Sequence, residues 1–88
     1  MKNSHNIYLV SDSTGETLDR IFLALKAQFE SFDYRINQFS FIRTETQIKK
    51  IIEDAYRSKN SIILYTIVNS KLAKFLTEES NKKKIPCF

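Results

Sequence analysis

Apolar residues along the chain alternate between two rhythms, and each switch marks an element. Ile7, Tyr8, Leu9 and Val10 form an unbroken apolar run of the length a buried strand needs. Leu18, Ile21, Phe22, Leu25 and Phe29 then recur every three or four positions, which predicts a helix over about 16–30 with one apolar face. Residues 34–42 return to period two, with Asn37, Phe39 and Phe41 opposite Ile36, Gln38 and Ser40, as in an edge strand buried mainly on one face. Ile48, Ile51, Ile52, Ala55 and Tyr56 predict a second helix ending near Lys59. Residues 62–68 are almost continuously apolar, which a strand tolerates only with helices over both faces, so this strand is expected at the centre. Leu72, Phe75 and Leu76 mark a third helix, and the charged stretch 78–84 is expected to fray it. Residues 85–88 read as the entry to a fourth strand, since Pro86 excludes helix there.

The polar residues between these runs supply the stops. Ser13 and Glu16 have the spacing of a capping box, as do Thr44 and Gln47, and Asn69 or Ser70 can cap the third helix. Three strand-then-helix units with short connections leave no room for a linker. The expected class is α/β: a three-layer open parallel sheet of three to four strands, helices on both faces, right-handed crossovers and strand order 2-1-3-4. The 88 residues make one domain, 1–88. Because the fourth strand has only four residues, the chain is expected to be the first part of a longer protein, incomplete at its C-terminus. An exposed sheet edge would then favour self-association.

Composition narrows the partners. No apolar run approaches the roughly 18 residues that span a bilayer, so no membrane partner is expected. The start shows no signal region, and one cysteine, Cys87, cannot close an internal disulfide; both point to the cytoplasm. The net charge of +4 comes largely from Lys82, Lys83 and Lys84, without the interleaved aromatics of an RNA-binding surface, which argues against nucleic acid. His5 has no second His or Cys at ligand spacing, so no metal site is predicted.

Chemistry concentrates in residues 11–17, Ser-Asp-Ser-Thr-Gly-Glu-Thr, where a strand empties into hydroxyls and the only glycine of the chain before a helix opens. Backbone N–H groups and the helix dipole converge at such a turn and favour phosphate or another oxyanion. Ser11, Ser13, Thr14, Gly15 and Thr17 are the candidate anion-binding residues. A second reading stays open, in which Ser13 is a helix cap and Ser11 and Thr17 satisfy local backbone groups. In the order 2-1-3-4 the crevice at the switch point falls between the loops after strands one and three. Asp12, Arg43, Asn69 and Ser70 are its rim candidates: Arg43 for bidentate phosphate contact, Asp12 as a base, a magnesium ligand or a plain turn residue. Gly15→Val is expected to abolish anion binding with little change in secondary structure. No residue is assigned as catalytic.

The string 7–17, with Arg43-Thr44-Glu45 and the run 65–68, closely resembles the amino-terminal domain of the pyruvate, phosphate dikinase regulatory proteins, whose relatives regulate phosphoenolpyruvate synthase. The likeness runs the length of the chain. It implies a bifunctional enzyme: an ADP-dependent kinase that phosphorylates a threonine near the catalytic histidine of the dikinase, and a phosphorylase that removes the group with inorganic phosphate, giving pyrophosphate. ADP and phosphate are thus the family's substrates, and the dikinase or synthase its partner. Such proteins carry a glycine-rich phosphate loop ending in lysine and threonine in a second domain. These residues contain none, so the chain alone is expected to bind no nucleotide and to catalyse nothing. Two other classes remain: a flavodoxin-like domain holding the phosphate of flavin mononucleotide, and a non-catalytic interaction module.

Overall fold

A computed structural model describes residues 4–25 and 33–88. Three strands, β1 (Ser4–Ser11), β2 (Asp33–Phe39) and β3 (Ser61–Thr66), alternate with three helices, α1 (Glu16–Leu25), α2 (Glu45–Ser58) and α3 (Ser70–Lys82). The sheet is parallel in the order β2-β1-β3. Residues 86–88 then run along the outer side of β3: the Ile63 N–H donates to Pro86 O, the Phe88 N–H to Ile63 O and the Tyr65 N–H to Phe88 O, at 2.8–2.9 Å. The Ile63 and Cys87 pairing is parallel, which continues the expected order 2-1-3-4.

Alternation along β1 divides the core between two helix layers. Ile7 and Leu9 point to one face, where Leu18 and Phe22 of α1 bury them, with Tyr34 and Leu64 alongside. Tyr8 and Val10 point to the other, where Ile48, Ile51, Ile52 and Ala55 of α2 meet Ile63 and Leu76. Each buried aliphatic side chain contributes about 1.5–3 kcal/mol, so among the described residues the α2 and α3 face, which holds most of the buried side chains, contributes the larger share. The continuous apolar character of β3 has the expected cause: Ile63 packs with α2 and Leu64 with α1.

Several boundaries differ from the expectation for local reasons. β2 stops at Phe39 rather than residue 42, because Phe41 adopts φ 57° and the Phe41 and Ile42 N–H groups donate to Ser13 O and Ser11 O, both at 3.0 Å. The charged end of α3 stays helical to Lys82: Ser80, fully buried, donates to Leu76 O at 2.8 Å, and Lys82 pairs with Glu79 at 3.0 Å. The last turn expected for α1, with Phe29, lies outside the described residues.

With one glycine in the chain, other residues take the left-handed turns. Lys59 and Asn60 (φ 59° and 47°) join α2 to β3, and Lys84 (φ 58°) follows α3, where the Ile85 N–H donates to Ser80 O at 2.9 Å. That is a Schellman closure with lysine where glycine is usual. Each such residue costs about 1–2 kcal/mol of backbone strain.

Candidate functional site

Three loops meet at the carboxyl ends of the strands: 12–15 after β1, 40–44 after β2 and 67–69 after β3. Ser11, 1% exposed, organises the first. Its Oγ accepts from the Ser13 N–H at 3.1 Å and lies 3.2 Å from Ser13 Oγ, while Thr66 Oγ1 donates to it at 3.4 Å. The Ser11 hydroxyl is therefore spent inside the loop. Thr14 Oγ1 accepts from the Glu16 N–H at 3.4 Å, and the Asp19 N–H closes the first turn of α1 on Gly15 O at 2.9 Å. The expected Ser13–Glu16 capping box is thus corrected: Thr14, one residue later, supplies the oxygen, because the Ser13 hydroxyl turns back to Ser11.

Gly15 is buried at φ 86°, and a Cβ there would stand 2.8 Å from Gln38 Nε2 and 3.4 Å from Ser40 Oγ. Glycine permits the positive φ of the turn and leaves room for the Gln38 and Ser40 side-chain ends. Gln38 Nε2 in turn donates to Asp19 Oδ1 at 3.0 Å, and Ser40 Oγ donates to Thr14 O at 3.2 Å. The first loop is clamped from the β2 side by these contacts.

On the β3 side the rim candidates converge. Asp12 Oδ2 accepts from the Val68 N–H at 2.8 Å, and the Asp12 N–H donates to Thr66 O at 3.3 Å. The Arg43 guanidinium donates through Nη1 to Asp12 O and lies 5.9 Å from the centroid of the Phe41 ring. Thr44 opens α2 through a complete capping box with Gln47, and the Gln47 Oε1 also takes the Arg43 N–H at 2.6 Å. This fixes the backbone from which the Arg43 side chain projects. Asn69 caps α3 by accepting from the Leu72 N–H at 3.0 Å. Asp12, Arg43, Val68 and Asn69, with Ile42 and Leu72, line an open crevice of about 510 Å³. No cluster of three or more His, Cys, Asp or Glu side chains able to hold a metal ion occurs among the described residues.

The profile of the kinase/pyrophosphorylase family matches residues 7–88. The chain belongs to the kinase/pyrophosphorylase family. Three relatives bear the name "putative pyruvate, phosphate dikinase regulatory protein". The one from Pelagibacter ubique is 57% identical over 88 residues, covering 100% of this chain and 32% of its own length. Those from Alkaliphilus oremlandii and Geobacter metallireducens are 42% and 40% identical over 80 and 75 residues, covering 91% and 85% of this chain and 28% of their own lengths. The chain thus spans about a third of the length of the curated relatives it matches.

In this kinase/pyrophosphorylase chain the residues singled out from sequence separate into two groups. Asp12, Arg43 and Asn69 line the crevice, and Ser70 begins α3 beside it. Ser13, Thr14 and Thr17 are exposed around the start of α1 and do not line that crevice. Charge separates the two helix starts as well. Glu16 and Asp19 already occupy the first turn of α1 and offset its dipole, whereas α3 has no acidic residue in its first turn. Phe41 escaped the sequence reading, since nothing in the chain signals that a phenylalanine takes a positive φ and remains 55% exposed beside Arg43.

No helix among the described residues is long and apolar enough to cross a membrane.

Proposed function

We propose that this chain forms the amino-terminal α/β unit of a regulator of pyruvate, phosphate dikinase, or of the related phosphoenolpyruvate synthase. The regulator acts as an ADP-dependent kinase on a threonine of its target and as a phosphate-dependent phosphorylase in the reverse direction. The observation that carries the reading is the 57% identity, over all 88 residues, to a Pelagibacter ubique protein of that name. The nucleotide is held by residues beyond this unit, because Gly15, the single glycine here, cannot make a glycine-rich phosphate loop. The enzyme works in the cytoplasm, where Cys87 stays a thiol.

The unit's own contribution is the crevice at the carboxyl ends of β1 and β3, where ligands of open α/β sheets bind. Arg43 brings one positive charge and the start of α3 about half of one, against one negative charge on Asp12 whose Oδ2 is already engaged by Val68. That small positive surplus suits a phosphoryl group held reversibly. The exposed Ser13, Thr14 and Thr17 hydroxyls extend a polar surface on the β2 side for the peptide or phosphate that approaches.

A chimera tests the assignment. This chain should replace the matching first third of the Pelagibacter ubique relative and retain ADP-dependent threonine phosphorylation of the dikinase, together with phosphate-dependent reversal. The chain by itself should show neither activity. A folded chimera with no regulatory activity, or phosphorylation by this chain alone, would contradict the proposal.

A further inference from the structure

The opposite end of the sheet carries a second feature that the crevice does not explain. We infer that the amino-terminal end of the sheet is a docking site for an acidic polypeptide segment, centred on Lys59, Lys83 and Lys84.

The three lysines ring an open hollow of about 490 Å³, and no carboxylate is among the residues that line it. Structural demand accounts for only part of this charge. α2 and α3 both end here, and each helix C-terminus presents about half a negative charge, so roughly one of the three positive charges is offset and about two remain. Lys82, by contrast, is spent on Glu79 at 3.0 Å. The Lys83 ammonium stands 4.8 Å from the centroid of the Tyr56 ring, a partner that leaves its charge available to an anion. Lys59 and Lys84 make no ion pair among the described residues.

The frame that presents them is set in advance. Lys59 and Asn60 are held in their left-handed turn by Asn6, whose N–H donates to Asn60 O at 3.0 Å and whose Nδ2 donates to Lys59 O at 3.3 Å. Lys84 is held by the closure of α3 on Ile85. Little backbone ordering is left to be lost on binding. The floor is apolar, with Ala55 and Ile85 buried beneath the rim, and the Tyr56 ring forms a half-exposed wall.

Lysines around an apolar floor match a chain in which carboxylates alternate with an aliphatic or aromatic side chain. They match a nucleic acid poorly, because phosphate tracking needs a longer basic stripe and base stacking needs several exposed rings. The site lies at the other end of the strands from the crevice, so a partner held here leaves that crevice open.

The experiment uses a fluorescent peptide alternating glutamate and leucine, its lysine-for-glutamate counterpart, and a single-stranded oligonucleotide of similar length. The acidic peptide should bind, the basic one should not, and the oligonucleotide should fail to displace it. The variant Lys59→Gln/Lys83→Gln/Lys84→Gln should lose at least about tenfold in affinity, and Arg43→Gln should lose none. Raising salt from about 0.05 to 0.5 M should weaken binding to the unmodified chain severalfold, a readout that stands even if the triple variant folds poorly. Salt-independent binding, equal affinity in a folded triple variant, displacement by the oligonucleotide, or loss in Arg43→Gln would each overturn the inference.

Discussion

Asp12 Oδ2 accepts the backbone N–H of Val68 at 2.8 Å, joining loops that lie 56 residues apart in sequence. This carboxylate is the clasp of the crevice. With the Arg43 side chain donating to the Asp12 carbonyl from the β2 side, one residue ties all three loops at the carboxyl ends of the strands together. An aspartate in an anion loop looks contradictory in sequence, and the clasp removes the contradiction. Asp12→Ala should cost about 0.5–1.5 kcal/mol, because the bond is to a charged acceptor but is partly solvated. Asp12→Asn, which keeps an acceptor oxygen, should cost less. Urea unfolding of the two variants checks the order, and equal stability of Asp12→Ala and the unmodified chain would remove the clasp.

Gly15 yields a prediction that differs from the one its sequence suggests. Its φ is 86°, a backbone conformation that any side chain strains; a methyl group on its Cα would also approach Gln38 Nε2 to 2.8 Å, but that atom ends an exposed, flexible side chain that can move aside. Gly15→Ala should lower stability by about 1–2 kcal/mol, and Gly15→Val by more. Gly15→Val is therefore not a clean probe of anion binding. Thr14→Val is better, because the Thr14 side chain is exposed and its one bond, to the Glu16 N–H, is a long 3.4 Å. Thermal melts of Gly15→Ala and Thr14→Val should separate widely, and similar midpoints would contradict the positive-φ strain at Gly15.

Lys84 sits at φ 58° in the closure of α3. Lys84→Gly should stabilise the chain by about 0.5–1 kcal/mol, the strain relieved less the added freedom of the unfolded chain. A lower melting temperature for this variant would show that the lysine side chain contributes more to the turn than its backbone costs.

The fold was largely legible because its signals are redundant. The continuous run in β3, the helical spacing in α2 and the Thr44–Gln47 box each point to the same α/β layering, and the structure contains all three. What escaped were backbone choices that side chains do not announce. Phe41 ends β2 early because its N–H and that of Ile42 find Ser13 O and Ser11 O, a pairing across the loops that period-two patterning cannot reveal. The Ser13–Glu16 spacing satisfied the capping rule while Thr14 made the contact, since Ser13 had a nearer partner in Ser11. One geometric point was legible through topology: the strand order alone places residues 12 and 69 on either side of one crevice.

Tyr8 is a buried phenol whose hydroxyl meets Asp54 Oδ2 and Ser58 Oγ, each at 3.1 Å. Burial, first of all, pushes it up from its ordinary 10.0; the hydrogen bond with Ser58 opposes this and the Asp54 carboxylate adds to it. Above about pH 10 the unfolded chain loses this proton before the folded one does, so the folded state binds more protons and stability falls as pH rises. Tyr8→Phe should cost about 1 kcal/mol near neutral pH and flatten that alkaline loss. Urea midpoints measured from neutral pH upward check both, and an alkaline slope unchanged by the substitution would place the titration elsewhere.

Titration of inorganic phosphate into the isotopically labelled chain, followed by amide chemical shifts, tests the crevice most directly. Saturable shifts are expected at Arg43, Asn69 and Ser70, with smaller ones at Ser13 and Thr14, and Arg43→Gln should lose the whole set with the fold intact. Shifts confined to the start of α1, or a pattern that survives unchanged in Arg43→Gln, would contradict binding in the crevice.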